Sequence, residues 1–300
     1  LVGPSNNVTA PRSSPERGAV SFSGPSTSRA LAVVDLGETR GEPGDASGNS
    51  GARPGADAGV NARPAGAPTT AVPAPVTRDA PGLGGPALLD QVWRDLAFLH
   101  WRVDPGLVAP LLPTGVVPDV HDGSSWVGLI PFRLTDARFG SGPVLPYVGS
   151  FAETNVRLYA VDGAGRRGVV FASLEAQRLA FVLGSRVALN VPYTWSKMRA
   201  TRTGDRYTYE SRRRWPGPAG LRSRVDVEVL PGAVDDDPLA DFLTARWGLY
   251  THHLGRTFFL PNEHAPWPLQ RLRVLEIDDQ LVAAAGLPGV THRPPDSALF

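Results

Sequence analysis

Cysteine is absent from the 300-residue sequence, and methionine and lysine occur once each, the lysine at Lys197. Without cysteine the protein cannot form a disulfide, use a thiol nucleophile or bind a metal through thiolates. Lys197 is the one side chain that could form a Schiff base with a carbonyl compound. The other 29 of the 30 basic residues are arginines, a bias typical of GC-rich codon usage.

Long apolar runs and excess charge are also missing. No run of about 18 apolar residues occurs, so no membrane span is predicted. The formal net charge is +1, which gives no general attraction to nucleic acid. Arg212, Arg213 and Arg214 have no aromatic platform around them, so we predict a solvated turn there. We therefore expect a cytoplasmic protein whose partner is a small molecule, with no nucleic-acid or membrane partner; the sequence leaves the oligomeric state open.

Aromatic residues are scarce in residues 1–86, which are rich in Gly, Pro, Ala and Ser. From Gly51 to Pro86, 14 of 36 residues are Gly or Pro. Such a segment cannot bury enough apolar surface to offset its ordering entropy. We predict a disordered tail over residues 1–86. All seven Trp residues lie between Trp93 and Trp267, so the folded domain is expected over residues 87–300.

The segment from Phe151 to Tyr159 has the most informative pattern in the chain. In a strand, alternate side chains point to opposite faces. One face is apolar, and the other carries an acid, an amide and a guanidinium framed by aromatic rings, namely Phe151, Glu153, Asn155, Arg157 and Tyr159. A solvent-facing strand and the lining of a cavity both fit this pattern. The nearly continuous apolar run from Gly168 to Leu174 predicts a neighbouring strand covered on both sides, which favours the cavity.

Periodicity and turn residues predict the remaining elements. Strands are expected at 98–103, 116–120, 126–134, 207–211, 225–229, 249–253, 256–260 and 272–277, and a loop at 140–150. The Asp122-Gly123 pair predicts a hairpin between the second and third of these strands. Helices are expected at 105–112, 175–189 and 278–285 and after Asp237-Pro238. Arg186 lies among the apolar residues of the second helix and needs an acidic partner if it is buried.

Histidines give no clear metal signature. His252 and His253 are adjacent on a strand, so they point to opposite faces, and His264 follows Glu263 without a zinc-binding spacing. We therefore predict no metal site and no cofactor. His100 lies beside Trp101 in a predicted strand, where a packed, hydrogen-bonded histidine is expected more often than a catalytic one.

Several motifs resemble one family. They are F-x-E-x-N-x-R-x-Y at 151–159, S-L-E-A at 173–176, R-x5-P-Y-x4-M at 186–198 and E-H-A-P-W-P-L at 263–269, together with F-L-H-W at 98–101 and W-V-G-L-I-P-F-R at 126–133. In this order they resemble the uncharacterised YqjF family, also called the DUF2071 family, over roughly residues 90–300.

That family is in turn similar to acetoacetate decarboxylase. The resemblance implies an α+β fold of mainly antiparallel strands, with a cone-shaped β-barrel around a closed pocket and a few flanking helices. Glu153 and Arg186 fall on the glutamate and the helix arginine of the decarboxylase pattern. That pattern has two consecutive lysines directly after the proline, whereas Tyr193 and Thr194 follow Pro192 here. Lys197 does not inherit the Schiff-base position by alignment.

These observations lead to two functional hypotheses. The first is an enzyme that acts on a small carbonyl or carboxylate compound without a Schiff-base lysine. In it Glu153 is the catalytic acid or base, while Asn155, Arg157, Arg186 and Tyr193 bind the ligand. The alternative is a non-catalytic protein that binds a small ligand in the same pocket.

Overall fold

The computed structural model of the chain describes residues 26–30, 34–35 and 72–300. Fifteen strands account for most of it: β1 (Ser26–Ala30), β2 (Val34–Asp35), β3 (Leu89–Arg94), β4 (Phe98–Val103), β5 (Val116–Pro118), β6 (Ser125–Phe139), β7 (Phe151–Asp162), β8 (Arg167–Ala176), β9 (Tyr193–Thr203), β10 (Arg206–Trp215), β11 (Arg222–Ala233), β12 (Gly248–His253), β13 (Arg256–His264), β14 (Gln270–Asp279) and β15 (Ser297–Leu299). The helices are α1 (Pro105–Val108), α2 (Leu179–Leu189), α3 (Pro238–Thr244) and α4 (Leu281–Ala284), with short 3-10 turns at Ala109–Leu111 and Val290–His292.

Nine strands close into a barrel. Around the ring the order is β6, β4, β15, β14, β11, β10, β9, β8 and β7, and β7 pairs with β6 again. All of these pairs are antiparallel except β8 with β9. Inward side chains fill the barrel, and Trp101, Leu129 and Leu158 are fully buried in it. The predicted α+β fold of mainly antiparallel strands with few helices is confirmed.

A second ring of seven strands shares three strands with the barrel. It runs through β6, β3, β1, β13, β12, β8 and β7. The two rings can share a wall because β6 has 15 residues: β4 pairs with its first part, Ser125–Leu129, and β3 with its last part, Arg133–Phe139. Likewise β8 pairs with β12 near Val169 and with β9 near Leu174. The shared strand β7 therefore faces a separate space inside the second ring.

The predicted hairpin between β5 and β6 is wrong, although its turn is present. Asp122 and Gly123 have φ angles of 49° and 75°, as a tight turn requires, and His121 and Ser124 form an isolated bridge. β5 instead pairs with β7. Both edges of β6 next to this turn are already hydrogen-bonded, one to β4 and the other to β7, so β5 has no free edge of β6 to join.

Two further expectations about charged residues are corrected. Helix α2 starts at Leu179, and Glu175 belongs to β8, where its backbone pairs with Thr154 on one side and Thr194 on the other. Arg213 does not lie in a solvated turn. Because β10 continues to Trp215, strand alternation directs Arg213 inward, where it is buried and bonded to Glu175.

The N-terminal region touches the domain wherever it is described. β1 pairs with β3 and β13, and β2 pairs with β13. Within residues 72–86, Arg78 bonds Asp241 at 2.9 Å, and Trp247 donates to the Thr77 carbonyl at 3.0 Å. The rest of the predicted tail lies outside the described residues, and its disorder stays a prediction. None of the helices in the described ranges has the length and apolarity needed to cross a membrane.

Candidate functional site

The seven-strand ring encloses a cavity of about 90 Å³. Side chains of β3, β7, β8, β12 and β13 form its walls, and residues of α2 and the start of β9 close one end. Its lining is mainly apolar, but Glu153, Arg157, Tyr193 and Arg246 all reach it. A small apolar space with a few convergent polar groups is the usual form of a small-molecule site.

Glu153 is held in the cavity wall as a neutral acid. It lies on β7 and is only 3% exposed. Burial raises the pKa of its carboxyl group from 4.5 to about 8, and the hydrogen bond from Tyr193 opposes this rise only in part. The Tyr193 hydroxyl donates to Glu153 Oε2 at 3.2 Å. At neutral pH, Glu153 therefore carries a proton that it can share with a ligand.

Tyr193 is positioned by the end of α2. Asn190 caps that helix in the left-handed conformation with φ of 48°, and Pro192 prevents its continuation. Arg186 Nη1 donates to the Tyr193 backbone carbonyl at 2.9 Å, and Phe181 packs edge-on against the Tyr193 ring. Burial, followed by the nearby Glu153, raises the pKa of Tyr193 well above its ordinary value, so its hydroxyl remains a donor.

Arg157 is a buried guanidinium with neutral partners. Its Nε donates to the Tyr159 hydroxyl at 2.9 Å and its Nη2 to the Leu243 carbonyl at 2.8 Å. The Phe98 ring lies 5.5 Å from its Cζ. Across the described ranges, no carboxylate lies within ion-pair distance of Arg157, although the side chain is 5% exposed. A buried charge without a counterion needs an anionic partner.

His100 supports this arrangement from behind. Its Nε2 lies 2.6 Å from the Tyr159 hydroxyl, which donates its own proton to the Leu243 carbonyl at 3.0 Å. Nε2 must therefore carry the hydrogen that joins the two side chains. Burial, and then the charges of Arg157 and Arg246, lower the pKa of His100 well below its ordinary value. His100 is a neutral residue that orients Tyr159 and, through it, Arg157.

Sequence reasoning missed Arg246. It follows α3 and its Nη1 bonds Asp119 Oδ2 at 2.5 Å, while Arg167 binds the other oxygen of the same carboxylate, also at 2.5 Å. Arg246 Nε donates to the Phe242 carbonyl at 2.7 Å. Asp119 and Arg246 are 127 positions apart in segments without periodic polar residues, so no sequence pattern signalled the pair.

The predicted site residues fall into two groups. Glu153, Arg157 and Tyr193 are brought together around the cavity. Asn155 lies between the first two on the same face of β7, and its Oδ1 is buried with no hydrogen-bond partner in the described part of the chain. Arg186 does not line the cavity: it bonds the Tyr193 backbone, and the partner of Glu153 is Tyr193. Asn155 and Arg186 therefore flank the cavity.

Lys197 lies outside the ring. It is exposed on β9 and lines a separate surface depression with Arg178 and Arg214. It cannot reach the cavity from that face. Among residues 72–300, no group of three or more His, Asp or Glu side chains is close enough to hold a metal ion.

A larger open groove of about 600 Å³ adjoins the cavity. Thr244, His264 and Trp267 line both spaces, so these three side chains form the partition between them. The rings of His264 and Trp267 are in contact at a tilt of 40°, with their centroids 4.5 Å apart, and burial lowers the pKa of His264 to about 4.

Comparison with known proteins supports the family resemblance seen in the motifs. Residues 90–300 match the DUF2071 family, described as an uncharacterized conserved protein. The uncharacterized protein YqjF of Bacillus subtilis (strain 168) is 33% identical over 183 residues, which cover 61% of this chain and 75% of YqjF. The structure of the enduracididine biosynthesis enzyme MppR complexed with pyruvate gives a TM-score of 0.49 at 13% identity, over 71% of this chain and 84% of that one. An acetoacetate decarboxylase-like enzyme from Sphingomonas wittichii RW1 gives 0.47 at 16% identity, over 78% and 93% of the two chains.

Proposed function

This chain belongs to the DUF2071 family, and we propose that its cavity binds a small carboxylate that also carries a carbonyl group and that Glu153 transfers a proton to it. The observation that carries the proposal is the buried Arg157 guanidinium, which has no carboxylate partner among the described residues and faces the cavity that holds protonated Glu153. A ligand carboxylate would supply the missing counterion.

The chemistry follows from the two groups. Arg157 fixes the carboxylate, because its Nε and Nη2 are already held by Tyr159 and Leu243 and its orientation is set before a ligand arrives. Glu153 then donates a hydrogen bond to the carbonyl oxygen and stabilises negative charge that develops there. A pKa of about 8 is suited to proton transfer near neutral pH. Lys197 is outside the cavity, so the proposed route uses no imine.

Binding is tested first with pyruvate and acetoacetate in a thermal-shift titration. We expect both compounds to raise the melting temperature of the wild-type chain and of Glu153→Gln, and to have no effect on Arg157→Gln. Arg199→Gln is the matched control, because it removes one exposed arginine from β9 and should leave binding unchanged. Equal shifts in Arg157→Gln and the wild type would show that the cavity does not hold the carboxylate.

Proton transfer is tested separately by the exchange of α-hydrogens for deuterium in D₂O, followed by NMR. Protonated Glu153 would give its proton to the carbonyl oxygen while a water molecule takes the α-proton, which forms the enol, and reversal in D₂O places deuterium on the α-carbon. The wild-type chain should therefore catalyse exchange into a bound keto acid, and Glu153→Gln should lose that activity while it still binds. The alternative, a non-catalytic binding protein, predicts ligand-induced stabilisation with neither exchange nor product. The exchange assay therefore distinguishes the proposed enzyme from a protein that only binds the ligand.

A further inference from the structure

Four buried polar atoms, each on a residue that lines the cavity, have no hydrogen-bond partner within residues 72–300. They are Gln91 Oε1, Trp93 Nε1, Arg246 Nη2 and Trp267 Nε1. Three of the four are N–H donors. Buried donors without acceptors destabilise a fold, so a group of them around one cavity indicates a ligand with several acceptor oxygens.

The charges around the cavity give a second, independent indication. Arg246 and Arg167 share the single carboxylate of Asp119, and Arg157 has none. The three guanidinium groups therefore have one carboxylate, that of Asp119, to balance their charge. Glu153 adds no negative charge at neutral pH because burial raises its pKa to about 8. The cluster retains an excess of two positive charges.

The two arginines that line the cavity both contact the Tyr159 ring. The Cζ atom of Arg157 lies 5.4 Å from the centroid of the Tyr159 ring, and that of Arg246 lies 4.8 Å from the same centroid. Arg157 has no carboxylate partner among the described residues, and Arg246 has Nη2 unbonded. Two guanidinium groups that flank one ring can hold two oxyanions of one short molecule.

We infer that the ligand is a small dicarboxylate, with one carboxylate on Arg157 and the second on Arg246 Nη2. This inference rests on the proposed function and narrows its substrate class from a carboxylate to a dicarboxylate of three or four carbons, a length set by the cavity of about 90 Å³. The unbonded indole N–H groups supply further donors for the carboxylate oxygens.

The decisive measurement is the affinity of the full chain for malonate compared with acetate and with monomethyl malonate, by calorimetric titration. Monomethyl malonate keeps the carbon skeleton and loses one charge. We expect malonate to bind at least about tenfold more tightly than either monoacid, since two oriented ion pairs replace one. Affinities within about twofold of each other would overturn the inference.

Variants assign the second carboxylate to its residue. Arg246→Lys keeps a cation beside Asp119 but removes the forked guanidinium, so it should lower malonate affinity about tenfold and leave acetate within about twofold. An unchanged preference for malonate in Arg246→Lys would overturn the assignment, and Arg199→Gln again serves as the control. If Arg246→Lys does not fold, the wild-type ligand series still decides the dicarboxylate inference.

The outcomes also separate this inference from the proposed function. Binding of pyruvate and acetate without a preference for malonate removes only the dicarboxylate inference. Failure of pyruvate, acetoacetate, acetate and malonate alike to bind removes both.

Discussion

Two buried glutamates on neighbouring strands have their negative charge neutralised in different ways. Glu175 on β8 is fully buried and its carboxylate is bonded by Arg213, with Nε 3.0 Å from Oε1, and by Ser196. Glu153 on β7 is also buried, and within the described part of the chain its side-chain partner is the neutral hydroxyl of Tyr193 at 3.2 Å. One carboxylate is compensated by a guanidinium, and the other by a proton.

The difference separates a structural ion pair from the two residues that we propose act on the ligand. The Glu175–Arg213 pair joins β8 to β10 across β9, and neither residue lines the cavity. Glu153 and Arg157 stand four residues apart on one face of β7, each without the opposite charge, and both line the cavity. Burial of a charged side chain therefore does not by itself identify a ligand site. The distinguishing feature is whether an oppositely charged side chain already pairs with it.

The largest expected effect is a loss of stability with rising pH that depends on Glu153. Below pH 4.5 the carboxyl group is protonated in both states; between 4.5 and about 8 the folded protein keeps a proton that the unfolded chain releases. The free energy of unfolding should therefore fall as the pH rises through this window. The total fall should be on the order of 5 kcal/mol, because each pKa unit between 4.5 and about 8 contributes 1.36 kcal/mol.

Urea denaturation from pH 5 to pH 9 measures this effect as the difference between the wild type and Glu153→Gln. Groups common to both chains, including His100 and His264, cancel in the difference. A difference that stays flat over this range would mean that Glu153 is ionised in the folded state and is compensated like Glu175.

Breaking the structural pair should have the next largest effect. Arg213→Met leaves the Glu175 carboxylate buried without its cation, so the free energy of unfolding should fall by about 3–5 kcal/mol. The double variant with Glu175→Gln should recover part of that loss, because coupled residues are not additive. Chemical denaturation of the two single variants and the double variant checks both statements, and strict additivity would contradict the pairing.

Replacement of the cavity arginine by methionine should change the free energy of unfolding in the opposite direction. Arg157→Met removes a buried charge that has no described counterion, so we expect a gain of about 1 kcal/mol in the absence of ligand. Arg157→Met should also lose the rise in melting temperature that the ligand causes in the wild type. A loss of several kcal/mol on denaturation would show that Arg157 is paired as Arg213 is.

The smallest effect is expected at Lys197. Because Lys197 is exposed on the outer face of β9, Lys197→Met should change the free energy of unfolding by less than about 0.5 kcal/mol. Borohydride added with acetoacetate should trap no covalent adduct on the wild-type chain. Mass spectrometry that finds an adduct at Lys197 would restore imine chemistry, and no other lysine competes with it.

Local patterns predicted local structure well. β4 has the bounds expected from the sequence, Phe98–Val103, and Asp237 caps α3 through bonds to the backbone N–H groups of Leu239 and Ala240. β10 and β11 contain the strands that alternation predicted at 207–211 and 225–229. These features depend on residues within a few positions of each other, where spacing and capping act directly.

Long-range partners were not predictable in the same way. The residue pattern predicted a solvated turn at Arg213 and could not show that Glu175 lies opposite it, 38 positions away. Nor could it show that β5 joins β7, that β1 completes a second ring, or that Arg246 meets Asp119. A strand edge or a charged side chain has many possible partners along the chain, and the folded sheet determines which of them it contacts.

The sequence by itself determined the family, the mainly antiparallel fold and the placement of Glu153, Asn155 and Arg157 on one face of a strand, because side-chain alternation is a property of the extended backbone. The sequence also determined that Tyr193 and Thr194, and not lysines, directly follow Pro192. Only the tertiary structure decided that Glu153 is protonated, that Arg157 has no carboxylate partner among the described residues and that Arg186 supports Tyr193 instead of the acid. Those outcomes depend on burial and on which charges come within a few ångströms, and both are set when distant strands pack together.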